Sequence, residues 1–265
     1  MRNNIYIIYL LLLAVLPVHS RNTSLFSVYE ITCEQQIEPL GIESKSPRFS
    51  WRVVSQQRAY RQSAYRILVT DIEGALAADE GTIWDSGKRF SSNSVLIPFQ
   101  GRELHSATRY YWKVKVWNEA GEESAWSKQG SFVTGMMKER DWGKAQWIAL
   151  EKDDPEKNLY PGIHAPLVGK MIGGRKVGGY KLPMFRKELL INKEVKEAIV
   201  NISGLGHFDF YVNGEKVGNH FLDPGWTNYA KTALYLTFDV TPLLKKENVL
   251  GVILGNGFYN VPRER

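Results

Sequence analysis

Hydrophobic and polar positions alternate along this chain in short runs, mostly at a period of two. Phe208, Phe210 and Val212 alternate with Asp209 and Tyr211, the pattern of a half-buried strand. Asn213-Gly214 follows at once. A two-residue Asn-Gly loop predicts a type I′ hairpin, because both central residues need φ > 0. Such a loop sets Val212 opposite Glu215 and Phe210 opposite Val217 on the core side. Gly218 closes the return strand. Asp223-Pro224-Gly225 then makes a turn that presents Trp226 and Tyr229. The same period predicts strands upstream, over 47–54, 65–70, 83–87, 95–97 and 130–135. The clearest lies within 104–117, where Tyr110, Trp112, Val114 and Val116 share one face. Tyr111, Lys113, Lys115 and Trp117 share the other. That second set can cover apolar surface while its charged heads reach water. Downstream strands are predicted over 183–189, 198–203, 233–240 and 248–254. Thr241-Pro242 opens one helical turn, with Thr241 as N-cap and Pro242 at the first helical position.

Many short strands separated by turn residues predict an all-β chain of two β-sandwiches. The first spans 24–135 and the second 136–265. Trp142 and Trp147 stand where the second begins and are expected to pack at the boundary. Patterning dissolves over 151–182, which reads as a surface loop inserted in the second sandwich. Its glycines are not a phosphate loop, since Gly-Lys-Ser/Thr never follows the spacer. The second sandwich lacks closing strands, which leaves an unpaired sheet edge prone to self-association. At the start, Arg2 precedes an apolar run over 5–16 that is too short to span a bilayer comfortably. Pro17 and Val18-His19-Ser20 complete a secretory signal peptide cleaved after Ser20. The mature protein is therefore expected to be secreted or periplasmic, with no transmembrane anchor. Asn22 and Asn201 head glycosylation sequons.

Composition narrows the function classes. The formal charge is +6 over 265 residues, but the 34 Lys and Arg are scattered. This lacks the dense basic stripe of a nucleic-acid binder. Cys33 is the single cysteine, so no disulfide framework exists and a buried, inert thiol is expected. Eight Trp and 13 Tyr supply rings that either pack sandwich cores or stack on sugar faces.

The run Leu104, Thr108, Tyr110, Trp112, Val114, Val116, Gly121, Trp126 and Thr134 resembles the closing strands of a fibronectin type III domain. Tyr110 falls where that fold keeps a corner tyrosine. In order along the chain, PRFSW (47–51), YRILV (65–69), IWDSGK (83–88), RYYWKVKVW (109–117) and DWGKAQWI (141–148) are followed by GHFDFYVNGEKVG (206–218), DPGWTNY (223–229) and LGNGFY (254–259). This set resembles the N-terminal part of bacterial α-L-rhamnosidases. The resemblance implies a fibronectin III-like sandwich followed by a jelly-roll, galactose-binding-like sandwich, C-terminally truncated. It implies an exported enzyme that removes terminal α-L-rhamnose from plant polysaccharides or glycosides by an inverting, two-carboxylate mechanism.

Both carboxylates of that family lie on a downstream helical barrel, which is the implied partner of this region and is absent from the chain. No catalytic residue is assigned, and the chain alone is expected to be inactive. Asp209 reads as a solvent-side strand residue, Asp239 as a strand end and Asp223 as a turn residue. Two other functions stay open. One is a carbohydrate-binding module, with His207, Asp223, Trp226, Tyr229, Asn256 and Tyr259 as sugar contacts. Calcium is the one cofactor this leaves open, although no dense Asp/Asn ligand loop is visible. In this reading Trp226 and Tyr229 compete with a role in packing. The other is a structural surface or adhesion protein.

Overall fold

A computed structural model describes residues 25–149, 182–255 and 257. The expected signal peptide, the Asn22 sequon, residues 151–181 of the expected loop insertion, Asn256 and Tyr259 lie outside the described residues.

The first sandwich is built from β1 (Phe26–Cys33), β2 (Arg48–Ser55), β3 (Gln62–Thr70), β4 (Trp84–Asp85), β5 (Arg89–Phe90), β6 (Ile97–Pro98), β7 (Arg109–Asn118) and β8 (Gly130–Val133). One sheet has the order β1-β2-β6. The other has the order β4-β3-β7-β8, with β5 also paired to β3. All pairings are antiparallel. Phe49 and Trp51 from the first sheet meet Ile67, Val69, Tyr110, Trp112, Val114 and Phe132 from the second. Each large apolar side chain buried here contributes roughly 1.5–3 kcal/mol. Most polar atoms inside are partnered, as burial demands; the buried Tyr60 hydroxyl is the exception among the described residues. Trp51 Nε1 donates to Gln62 Oε1 at 3.0 Å, and the Gln62 amide donates to the Ser91 and Asn93 carbonyls. Tyr110 forms the corner: its hydroxyl accepts the His105 N–H at 2.8 Å. Cys33 is buried, and burial pushes its thiol well above the usual range.

The outer face of this sheet differs from its expected character. Lys113 is 8% exposed, so its head does not reach water. It donates instead to the Leu76 carbonyl and the Asp79 carboxylate. Trp126 lies under Arg66, Lys113 and Lys115, which stack on its ring. Ser124 and Ser127 hold this segment to β7 by accepting the Val116 and Val114 N–H groups. The alternation in β3 is also hidden, because Ile67, Leu68, Val69 and Thr70 are all buried. Loop residues around Gly81 cover Leu68, where a Cβ on Gly81 would stand 3.1 Å from Leu68 Cδ2.

The second sandwich comprises β9 (Met184–Leu190), β10 (Ile199–Ser203), β11 (Phe208–Val212), β12 (Glu215–Lys216), β13 (Tyr235–Asp239) and β14 (Glu247–Leu254). A four-stranded sheet in the order β12-β11-β14-β9 faces the pair β10-β13. Phe208, Phe210, Val212 and Val217 pack there against Phe238 and Val240. The β11–β12 hairpin has the expected register, with Val212 opposite Glu215 and the Val217 N–H on the Phe210 carbonyl. Asn213 and Gly214 sit at φ 53° and 85°. Thr241 is not an N-cap: Val240 precedes the 3-10 turn Thr241–Leu243 without a side-chain cap. The Thr241 hydroxyl accepts the Ala198 N–H instead, tying the turn to β10.

The two sandwiches meet at Arg109 and Tyr235. Arg109 at the start of β7 donates to Glu197 and, at 2.6 Å, to Asp239 at the end of β13. The Tyr235 hydroxyl accepts the Met136 N–H at 2.8 Å. Burial, and secondly its bond to Glu43, push that hydroxyl up to about 12. Trp142 packs edge-on against the Tyr235 ring at 5.1 Å. Trp147 does not join it and is 63% exposed. The boundary is thus sealed by one tryptophan, because only Trp142 sits in the 3-10 turn beside Tyr235.

Candidate functional site

The hairpin positions a cleft at its open end. Asp209 and Tyr211 lie on the outer face of β11, and Lys216 pairs opposite Tyr211. Asp209 is the diagonal neighbour of Lys216, within reach of a long side chain. Their ion pair closes at 2.6 Å. Its hydrogen bond raises the Lys216 ammonium above its ordinary value. Ile253 pairs directly opposite Asp209 on β14. Beyond the start of β11, the His207 carbonyl accepts the Gly255 N–H at 2.6 Å. Gly257 also lies against this turn, where a Cβ would stand 2.8 Å from Gly206 Cα. Its φ of 52° and this contact explain why the LGNG stretch carries glycine there.

These elements enclose an open cleft of about 230 Å³ lined by His207, Phe208, Asp209, Lys216, Phe221, Leu222, Ile253 and Gly255. Phe221 is 86% exposed and Leu222 64% exposed. Leu222 has φ 58°, a left-handed conformation that costs a non-glycine residue about 1–2 kcal/mol. His207 Nδ1 is buried and has no hydrogen-bond partner among the described residues. An unmade buried bond of this kind costs about 1–3 kcal/mol. The cleft therefore joins an apolar wall, a mutually neutralised carboxylate and ammonium, and one unsatisfied imidazole nitrogen. That combination suits recognition of a small polar ring.

Of the sequence candidates among the described residues, only His207 lines the cleft. Asp223 lies on the adjoining loop, with Oδ2 3.0 Å from His220 Nδ1. Its carbonyl accepts the Phe208 N–H at 2.7 Å, which ties the loop to β11. Trp226 is 58% exposed. Tyr229 is half-buried, and burial raises its hydroxyl. Neither lines the cleft. Sequence reasoning missed Lys216, Phe221, Leu222 and Ile253. The hairpin register could have placed Lys216 beside Asp209. Phe221 and Leu222 sit in a loop with no periodicity to read. Among the described residues, no three His, Cys, Asp or Glu side chains are grouped to hold a metal ion, so no residue set is offered for calcium.

Fold and cleft define a class: an all-β protein of two joined sandwiches with a small open cleft on the second. Residues 28–138 match the family described as Rha78A-like, N-terminal immunoglobulin domain. Residues 193–265 match the alpha-L-rhamnosidase N-terminal domain. The two domains belong to the N-terminal region of α-L-rhamnosidases. An alpha-L-rhamnosidase of Formosa agariphila is 44% identical over 83% of this chain and 23% of its own length. The solved alpha-L-rhamnosidase of Dictyoglumus thermophilum superposes with a TM-score of 0.73 at 36% identity, over 88% of this chain and 25% of that one. That of Aspergillus terreus gives 0.69 at 27% identity, over 88% and 24%. The chain thus spans about a quarter of the length of the relatives it matches.

Proposed function

We propose that these residues are the accessory N-terminal region of an exported α-L-rhamnosidase, acting on terminal α-L-rhamnose of plant glycans. The carrying observation is that one relative of that name matches across both sandwiches, which make up only 23% of its own length. In this reading the two sandwiches pack against and orient a hydrolytic domain. The acid that protonates the leaving oxygen and the base that activates water on the opposite ring face belong to that domain. The purified 265-residue chain should release no 4-nitrophenol from 4-nitrophenyl α-L-rhamnoside, and turnover above a buffer blank would overturn its accessory role. A domain replacement tests the role directly. Deleting the matching region from the Formosa agariphila relative should abolish soluble activity, and grafting this chain in its place should restore it. A graft no better than the deletion would remove the reading. Export is checked by the mass of the mature N-terminus, expected to begin at Arg21. The cleft favours a second reading, in which the same region also binds carbohydrate.

A further inference from the structure

We propose that the cleft between His207 and Phe221 holds a single terminal 6-deoxyhexose, without a metal ion. The choice of sugar rests on the rhamnosidase reading; the choice of cleft does not. Size comes first. Drug-sized ligands occupy sites of about 300–1,000 Å³, and this cleft offers about 230 Å³, room for one sugar ring rather than an oligosaccharide. Charge comes second. Asp209 and Lys216 neutralise each other at 2.6 Å, so this pair presents no net charge to draw in a uronate or sulfate. Both groups still have hydrogen-bonding capacity left for hydroxyls. Third, buried His207 Nδ1 has no partner among the described residues, and a ligand hydroxyl is the missing partner. Fourth, Phe221, Leu222 and Ile253 form an apolar wall. A deoxyhexose has a methyl group where other hexoses carry a hydroxymethyl, so one edge of its ring matches that wall. The exposed Phe221 ring can lie on the apolar face of the sugar.

The test is an NMR titration of the ¹⁵N-labelled 265-residue chain with methyl α-L-rhamnopyranoside in EDTA. Saturable shifts are expected at His207, Phe221 and Gly255, with millimolar affinity. The methyl α-L-mannopyranoside analogue, which adds a hydroxyl at the methyl position, should bind about tenfold more weakly. His207→Ala and Phe221→Ala should each weaken binding about tenfold or more, a factor that is about 1.4 kcal/mol. Phe221 is exposed, so its truncation tests the cleft without unfolding the domain. Absence of saturable shifts at sugar concentrations on the order of tens of millimolar, well above the millimolar range that corresponds to weak binding, would overturn the proposal. So would binding lost on Trp226→Ala but kept in Phe221→Ala. An active graft with no sugar shifts removes the cleft alone. An inactive graft with saturable shifts removes the accessory-role reading and leaves the cleft.

Discussion

Glu34 is a turn residue at φ 48° with a carboxylate that Arg48 grips three ways. Arg48 Nη2 donates at 2.6 Å, Nε at 3.1 Å, and the Arg48 backbone N–H at 2.8 Å. The side-chain bond from Arg48 holds the Glu34 carboxyl below its ordinary value despite some desolvation. A folded pKa below the unfolded one gives stability that is present above the unfolded value, near 4.3. That stability is lost as pH falls through the folded value. Glu34→Gln should therefore melt at a lower temperature than wild type at pH 7, and the gap should close below about pH 4. An equal gap at pH 7 and pH 3 in thermal melts would refute this. None of it was legible in sequence. Residues 14 apart, one of them on an irregular turn, leave no spacing to read. The burial of Lys113 is hidden for the same reason: its partners Leu76 and Asp79 come from a loop that no period connects to β7. His207 is the exception among cleft residues, since it stands directly before a well-patterned strand.

At the scale of elements the sequence was far more informative, because strands carry their own period and turns their own chemistry. The β11–β12 hairpin was readable down to its register. Asn213 does more there than tolerate positive φ. Its amide donates to the Leu243 carbonyl and to Asn248, and its Oδ1 accepts the Val249 N–H at 2.9 Å. The turn is thus stitched to β14 and to the 3-10 turn behind it. Asn213→Ala loses these bonds and keeps a strained left-handed residue, so it should cost about 2–4 kcal/mol. Gly214→Ala meets nothing within 4 Å and pays only for φ 85°, about 1 kcal/mol. Urea melts should rank Asn213→Ala well below Gly214→Ala. The reverse order would mean that backbone strain, not side-chain stitching, governs the turn. What the period could not show was what covers each face. It sent the charged heads on the outer face of β7 to water, whereas Lys113 and Lys115 lie over the Trp126 ring. It gave Thr241 a capping role that β10 takes over.

The whole molecule depends on contacts that no local pattern encodes. Arg109 reaches Glu197, 88 residues away, and Asp239, 130 residues away. Sequence could name Asp239 as a strand end but not its partner. Two glycines make the approach possible. A Cβ on Gly41 would stand 2.6 Å from Thr237 Oγ1, and one on Gly135 would run into the Tyr235 hydroxyl. The sandwiches are therefore fitted to each other across a joint too close for side chains at those points. If the joint couples them, the wild-type chain should unfold in one calorimetric transition. Arg109→Met leaves Glu197 and Asp239 facing each other without a cation. Both carboxylates are about a third exposed, so the loss should be smaller than the 3–5 kcal/mol of a fully buried pair, on the order of 1–3 kcal/mol. The second sandwich has the thinner core and should melt first, splitting the transition in two. Gly135→Ala should do the same by displacing Tyr235 from the Met136 N–H. A single transition at unchanged temperature in both variants would show that the sandwiches are merely adjacent. A split would show that the joint couples the unfolding of the two sandwiches.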